Sequence, residues 1–260
     1  MKIIWPRFKS NENQVKSCFA KINSLHAGTS LISFPVCYID KFKNEEILRQ
    51  VESITKKHLL NDKSTFQLVS SKTTVKIINS NDHLRFLKKI PTFSVGAKTL
   101  QKCLDSGFTL AKLPFQERRH FLSSDEFFEF YARELKNRVP NTDLIFPGPV
   151  TRVESAEKAL KKNDGILRLN LYETQQIDKN KLEKQYTGIF QEIRNSSKFI
   201  IIFTSPSCVE SYKNLGLSFG HKQITIGPTT SQSLRLHGFD PIESRESSYE
   251  SITETIIENI

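Results

Sequence analysis

At 260 residues and 29.9 kDa, with 37% apolar and 25% charged residues, the chain can bury the core of one large or two modest domains and has an ordinary soluble composition. Its four cysteines, Cys18, Cys37, Cys103 and Cys208, form no C-x-x-C and do not cluster with the six histidines, which speaks against a disulfide framework or a metal site and fits a reducing compartment. A formal net charge of +10 asks for an anionic partner, yet the basic residues are dispersed in pairs such as Lys56-Lys57, Lys88-Lys89, Arg118-Arg119 and Lys161-Lys162, so a small polyanion or plain solubility accounts for the charge better than nucleic acid.

Met1 to Trp5 enters a strand directly, without the long apolar core of a signal peptide or the Arg-rich helix of a transit peptide, and the expectation is a cytoplasmic protein. Asn11 to His26 places Val15, Phe19 and Ile22 on one helical face. Leu31 to Asp40 is extended, and its Pro35 suits a sheet edge or a crossing connection better than a central strand. Glu45 to His58 is amphipathic through Ile47, Val51 and Ile54. Further on come a strand at Thr109 to Leu113, a capped helix from Ser123 to Arg138 in which Phe127, Phe128 and Tyr131 read as core, and a strand at Thr142 to Phe146. A turn at Pro147-Gly148-Pro149, a helix from Thr151 to Asn163, an extended stretch from Ile166 to Thr174 and a helix from Asp178 to Asn195 follow. Strands separated by helices in this way predict an α/β fold with parallel sheets.

The densest stretch is Phe199 to Phe239, two strand-to-helix turns in succession. Phe199 to Phe203 is apolar at every position, as a strand buried on both faces requires. Ser205 can cap the helix that follows and Pro206 suits its first turn. After the short strand Ile224 to Ile226, Gly227 turns the backbone and Pro228-Thr229-Thr230 opens a helix that stops at His237-Gly238. Two helix N-termini at the ends of parallel strands make a place for anions.

The same pattern occurs earlier. Ser70 to Val75 lies over Thr204 to Val209, and Gly96 to Thr99 over Gly227 to Thr230. Gly107-Phe108 matches Gly238-Phe239, Ser123 to Glu126 matches Ser247 to Glu250, and Ile4-Trp5-Pro6 is echoed by Ile145-Phe146-Pro147. Any one match is ordinary α/β punctuation. Five in one order indicate a duplicated unit of about half the chain.

The combination of FTSPSCVES, IGPTTSQSLRLHGF and SSYESITETI, preceded by LYET, resembles the uroporphyrinogen-III synthase family, whose members close linear hydroxymethylbilane into uroporphyrinogen III without a cofactor. The resemblance covers nearly the whole chain and is sharp in its last ninety or so residues. It implies two similar α/β lobes with parallel sheets flanked by helices, joined by a two-stranded antiparallel ladder. Lobe one is then residues 1–33 and 174–260, lobe two is 41–165, and the ladder is 34–40 with 166–173. It also implies a monomer acting on an octacarboxylate, with the upstream hydroxymethylbilane synthase as a candidate partner and with neither nucleic acid nor membrane.

By the same resemblance Tyr172 matches the tyrosine of the family's YET motif and is the candidate acid; the alternative is a strand tyrosine packing its ring. Thr99 and Thr230 match the family's paired threonines, as carboxylate ligands or as caps of their own helices. Ser71, Gly96, Gly148, Ser205, Pro206, Ser207 and Gly227 would bind substrate from turns lining a cleft between the lobes, with caps at Ser123 and Ser247. Two departures stand out. Thr73, with Lys72 before it, stands where many relatives have a basic residue, and Trp5-Pro6-Arg7 replaces the usual Thr-Arg-Pro, which leaves Arg7 as no more than a conceivable ligand. A non-catalytic, polyanion-binding or regulatory module on the same scaffold is the rival from another class; the nucleotide-binding motifs G-x-G-x-x-G and G-x-x-x-x-G-K-[ST] do not occur.

Overall fold

Continuous apolar runs become strands covered on both faces. In the computed structural model, which describes residues 1–58, 64–115, 120–150, 158, 165–196 and 198–260, the described strands are β1 (Lys2–Phe8), β2 (Ser30–Lys41), β3 (Ser64–Val69), β4 (Thr92–Val95), β5 (His120–Phe121), β6 (Thr142–Pro149), β7 (Ile166–Gln176), β8 (Ile200–Phe203), β9 (Lys222–Thr225) and β10 (Ile242–Glu243). The chain divides into unit one, Met1–Ile39 with Thr174–Ile260, and unit two, Asp40–Glu173.

Unit one orders its strands β10-β9-β8-β1-β2, with every neighbouring pair parallel. Alternation along β1 and β8 sends Ile3, Trp5, Ile200 and Ile202 to one face, against Val15 and Ile22 of the helix Glu12–Leu25 and Ile252 and Ile256 of the helix Tyr249–Glu258. Ile4, Ile201 and Phe203 point the other way, into a second core with Phe190, Val209 and Tyr212. The predicted helix from Asp178 to Asn195 is two helices, Lys179–Gln185 and Thr187–Asn195, broken at Tyr186, whose ring packs 5.7 Å from that of Phe34. Pro35 lies inside the twelve-residue β2, the end strand in the order of unit one and the strand along which the chain passes from Ile39 into unit two, in keeping with the edge or crossing expected of it. It pairs with Arg7, and the ladder shifts register immediately afterwards, so the missing N–H falls beside an irregularity.

Unit two repeats the layout as β7-β6-β3-β4-β5, again parallel throughout. One face is covered by the helix beginning at Ser124, whose Phe127, Phe128, Tyr131 and Leu135 join Phe66, Phe93, Phe121 and Phe146 in an aromatic core. The predicted strand at Thr109 to Leu113 is reduced to isolated bridge positions, Leu110 opposite Thr92 and Leu113, and Pro114 follows at once. The outermost strand is β5, paired through Ser94 to His120 and Val95 to Phe121. Pro147 to Pro149, expected to turn, continue β6. The predicted helix from Thr151 to Asn163 lies outside the described residues except for Lys158. Antiparallel backbone bonds flank β2 and β7: in unit one Ile177 N–H donates to Val36 O, and in unit two Phe42 N–H donates to Leu171 O, both at 3.0 Å.

The internal repeat extends to detail. Strands β3, β4, β5, β6 and β7 of unit two answer β8, β9, β10, β1 and β2 of unit one, the same layout reached by a shifted chain order. The helices that end before Gly107 and Gly238 close alike, with φ of 75° and 81° at the glycines and bonds from Phe108 N–H to Cys103 O and from Phe239 N–H to Leu234 O. Register slips between Arg7 and Phe8 in β1 and between Gly148 and Pro149 in β6.

Candidate active site

Because neighbouring strands within each unit are parallel, their C-terminal ends share one edge of that unit's sheet, and the helices that follow begin there. In unit two β3 delivers Ser71, which is extended and accepts a bond from Thr74 N–H at 3.1 Å, capping the helix Lys72–Asn79. Strand β4 delivers Gly96, which precedes the helix Ala97–Asp105 with a φ of 78° that side-chain-bearing residues rarely adopt. Thr99 is the third residue of that helix and is buried. Gly148, near the end of β6, is buried in the sheet opposite Asn170, not exposed in a turn. Tyr172 lies on β7 opposite Pro149, just past the register shift, and is 5% exposed. Its hydroxyl stands 3.2 Å from Ser71 Oγ, which is also 2.9 Å from Thr74 Oγ1.

Unit one builds the equivalent edge from different chemistry. Ser205 caps the helix Pro206–Lys213 by accepting from Cys208 N–H at 3.2 Å, and Ser207 is half-buried in the first turn. Gly227 precedes the helix Pro228–Arg235; its φ of 166° is extended backbone open to any residue. What is particular there is space, since a Cβ on Gly227 would stand 2.3 Å from Ser247 Oγ. Thr230 is 3% exposed. Neither glycine-led helix has a side-chain cap, so capping is not the role of Thr99 or Thr230. The first-turn amides of Lys72, Thr73, Ala97, Lys98, Ser207 and Thr229 have no acceptor within their own helices and can receive anions.

Two expectations need correction. The last helix is capped by Ser248, which accepts from Ser251 N–H at 3.0 Å; Ser247, one residue earlier, is exposed beside Gly227. Ser123 does cap its helix, and Glu126 reaches back to Leu122 N–H at 2.7 Å. Arg7 is 5% exposed and its guanidinium is consumed internally, bonded to Ser33 Oγ, Phe8 O, Lys9 O and Glu12 Oε2, so it is no ligand. Nothing in the sequence hinted that Cys37 and Cys208 meet, their sulfurs 3.6 Å apart. Both thiols are buried, and the Cys37 thiol is pushed far up by its contact with Cys208 and by burial. A groove of about 560 Å³ lined by Arg49, Gln50 and Ile166 to Arg168 lies at the start of β7, away from Tyr172.

Two like α/β units, each starting helices with hydroxyl-bearing residues at its strand ends, make up the described chain. The chain belongs to the uroporphyrinogen-III synthase family: the family model described as uroporphyrinogen-III synthase HemD matches residues 26–254. The activity of that family is cyclisation of hydroxymethylbilane, a cyclising-lyase step of tetrapyrrole biosynthesis. The fold is similar to that of uroporphyrinogen-III synthetase from Helicobacter pylori, with 16% identity, a TM-score of 0.57, and coverage of 100% of this chain and 99% of that one. It is also similar to a mutant uroporphyrinogen III synthase from the extremely thermophilic bacterium Thermus thermophilus, with 14% identity, a TM-score of 0.63, and coverage of 99% and 98%. No individually curated protein matches the sequence. Among the described residues no helix is long and apolar enough to cross a membrane.

Proposed function

We propose that Tyr172 is the acid that assists departure of water from the hydroxymethyl carbon, and that the substrate's carboxylates are received by Ser71, Gly96, Thr99 and Gly148 of unit two and by Ser205, Pro206, Ser207, Gly227 and Thr230 of unit one. The observation that carries this reading is the Tyr172 hydroxyl held 3.2 Å from Ser71 Oγ at the strand ends, beside a helix start able to receive an anion. Pyrroles are reactive, so the task is less to force a bond than to hold the chain until the substituted position of the last ring attacks, through a spiro intermediate, and closes with that ring inverted.

The buried ring of Tyr172 also serves packing, but a role confined to packing would leave its hydroxyl irrelevant to rate. The reading has a cytoplasmic monomer that takes hydroxymethylbilane from the upstream synthase, with residues 34–40 and 166–173 connecting lobe one, 1–33 and 174–260, to lobe two, 41–165. The test is turnover of hydroxymethylbilane by the purified protein and by Tyr172→Phe. Isomer III from the parent and a slower variant are expected. A parent that leaves the spontaneous product unchanged supports the binding module in its place.

A further inference from the structure

We infer that Thr74 is a positioning residue that sets the direction of the hydrogen bonds through Ser71 and so leaves the Tyr172 proton free for the substrate. This rests on Tyr172 being the acid. Ser71 Oγ has one proton and two lone pairs, and Thr74 N–H occupies one lone pair. The other lone pair and the proton are divided between Thr74 Oγ1 at 2.9 Å and the Tyr172 hydroxyl at 3.2 Å, which allows two orders. If Ser71 donates to Thr74, then Tyr172 donates to Ser71 and has no proton to give. If Thr74 donates to Ser71, then Ser71 donates to the Tyr172 oxygen and the tyrosine proton points away from both.

Burial decides between them. Thr74 is 0% exposed, and its hydroxyl has Ser71 Oγ as its one hydrogen-bonding partner among the described residues, so in the first order its proton would be buried without an acceptor. In the second order the Thr74 and Ser71 protons both have acceptors, and the one proton left without a partner among the described residues is that of Tyr172, which at 5% exposure can be met by water or substrate where Thr74 at 0% cannot. In that order Tyr172 protonates the hydroxymethyl oxygen, the C–O bond breaks with its electron pair and water leaves, and the pyrrole nitrogen lone pair stabilises the carbon left behind. The tyrosinate is held meanwhile by the Ser71 proton. The proton released as the closed ring regains aromaticity returns to Tyr172, so the balance is one water lost.

Unit one keeps the scaffold and lacks the relay. Ser205 caps through Cys208 N–H as Ser71 does through Thr74 N–H, but Cys208 stands in place of Thr74 and Cys37 in place of Tyr172. Thiols are weak donors, and these two face each other. The chain of three hydroxyls in unit two therefore has no counterpart at the equivalent place in unit one.

Steady-state formation of isomer III by Thr74→Val, Thr74→Cys and Thr74→Ser tests the relay, with urea unfolding of each as a control for packing. Because the equivalent position in unit one is a cysteine, Thr74→Cys suits the fold even where Thr74→Val does not. The expected result is a loss of about tenfold in kcat for Val and Cys with KM nearly constant, and kcat for Ser within about twofold of the parent, since serine restores the hydroxyl. Undiminished kcat in Thr74→Cys, or a Thr74→Ser protein as slow as Thr74→Cys, overturns the relay while leaving Tyr172 as the acid. A parent without isomer III activity instead overturns the functional reading on which the relay rests.

Discussion

Cys37 and Tyr172 occupy the same place in the two halves of the repeated fold, each paired across the first position after a register shift, with Phe8 and Pro149 respectively. One half therefore carries a hydroxyl and the other a thiol. Tyr172→Phe is expected to lower kcat for isomer III by about a hundredfold, the low end for loss of a general acid in a reactive substrate. Cys37→Ser is expected to keep kcat within about twofold. Full activity in Tyr172→Phe removes the acid role.

The two glycine turns look interchangeable in sequence and are not so in conformation. Gly96 has a φ of 78° with open space around it, whereas Gly227 is extended and faces the exposed, rotatable Ser247 side chain. Gly96→Ala should destabilise by about 1 kcal/mol through backbone strain. Gly227→Ala should cost less, because Ser247 can turn its hydroxyl aside. Urea midpoints of the two variants, compared with the parent, give the order.

Thr99 and Thr230 are buried at the third residue of helices that they do not cap. Thr99→Val and Thr230→Val keep the shape and delete one hydroxyl each, at about 1 kcal/mol of substrate binding. A rise of about fivefold in KM with little change in kcat is expected for each. Unchanged KM would leave these hydroxyls with no part in capture.

Alkaline stability follows from groups away from the site. Burial, with a smaller contribution from the Asp143 carboxylate, pushes the Tyr131 phenol up to about 12 from its ordinary 10, and burial pushes the Cys103 thiol up to about 12. Both are neutral acids favoured by the fold, so the unfolded chain holds fewer protons once the pH passes their unfolded values. The stability they provide is complete below pH about 9, declines as pH rises and is gone above about 12, with about 2–3 kcal/mol attached to Tyr131. Urea midpoints measured from pH 9 upward should fall more gently for Tyr131→Phe than for the parent.

Much of this was legible because it depends on neighbours in sequence. A strand covered on both faces must be apolar at every position, as Phe199 to Phe203 is, and a serine before a helix can satisfy its third amide, as Ser71, Ser123 and Ser205 do. The repeat was visible because its turns need the same residue types twice. The site's contacts were not, since Tyr172 meets Ser71 across 101 residues and Cys37 meets Cys208 across 171. Choices between adjacent candidates also escaped: Ser248 caps where Ser247 could have, and Arg7 is spent on partners up to 26 residues away. The aligned repeat did place Thr74 over Cys208, but a difference of one residue type carries no contact by itself.

The most direct measurement is the isomer composition of the product when purified protein is given hydroxymethylbilane. The account predicts that isomer III forms faster than spontaneous closure forms isomer I, and that its share rises with enzyme concentration. A product that remains isomer I at its uncatalysed rate, from folded protein, would contradict it.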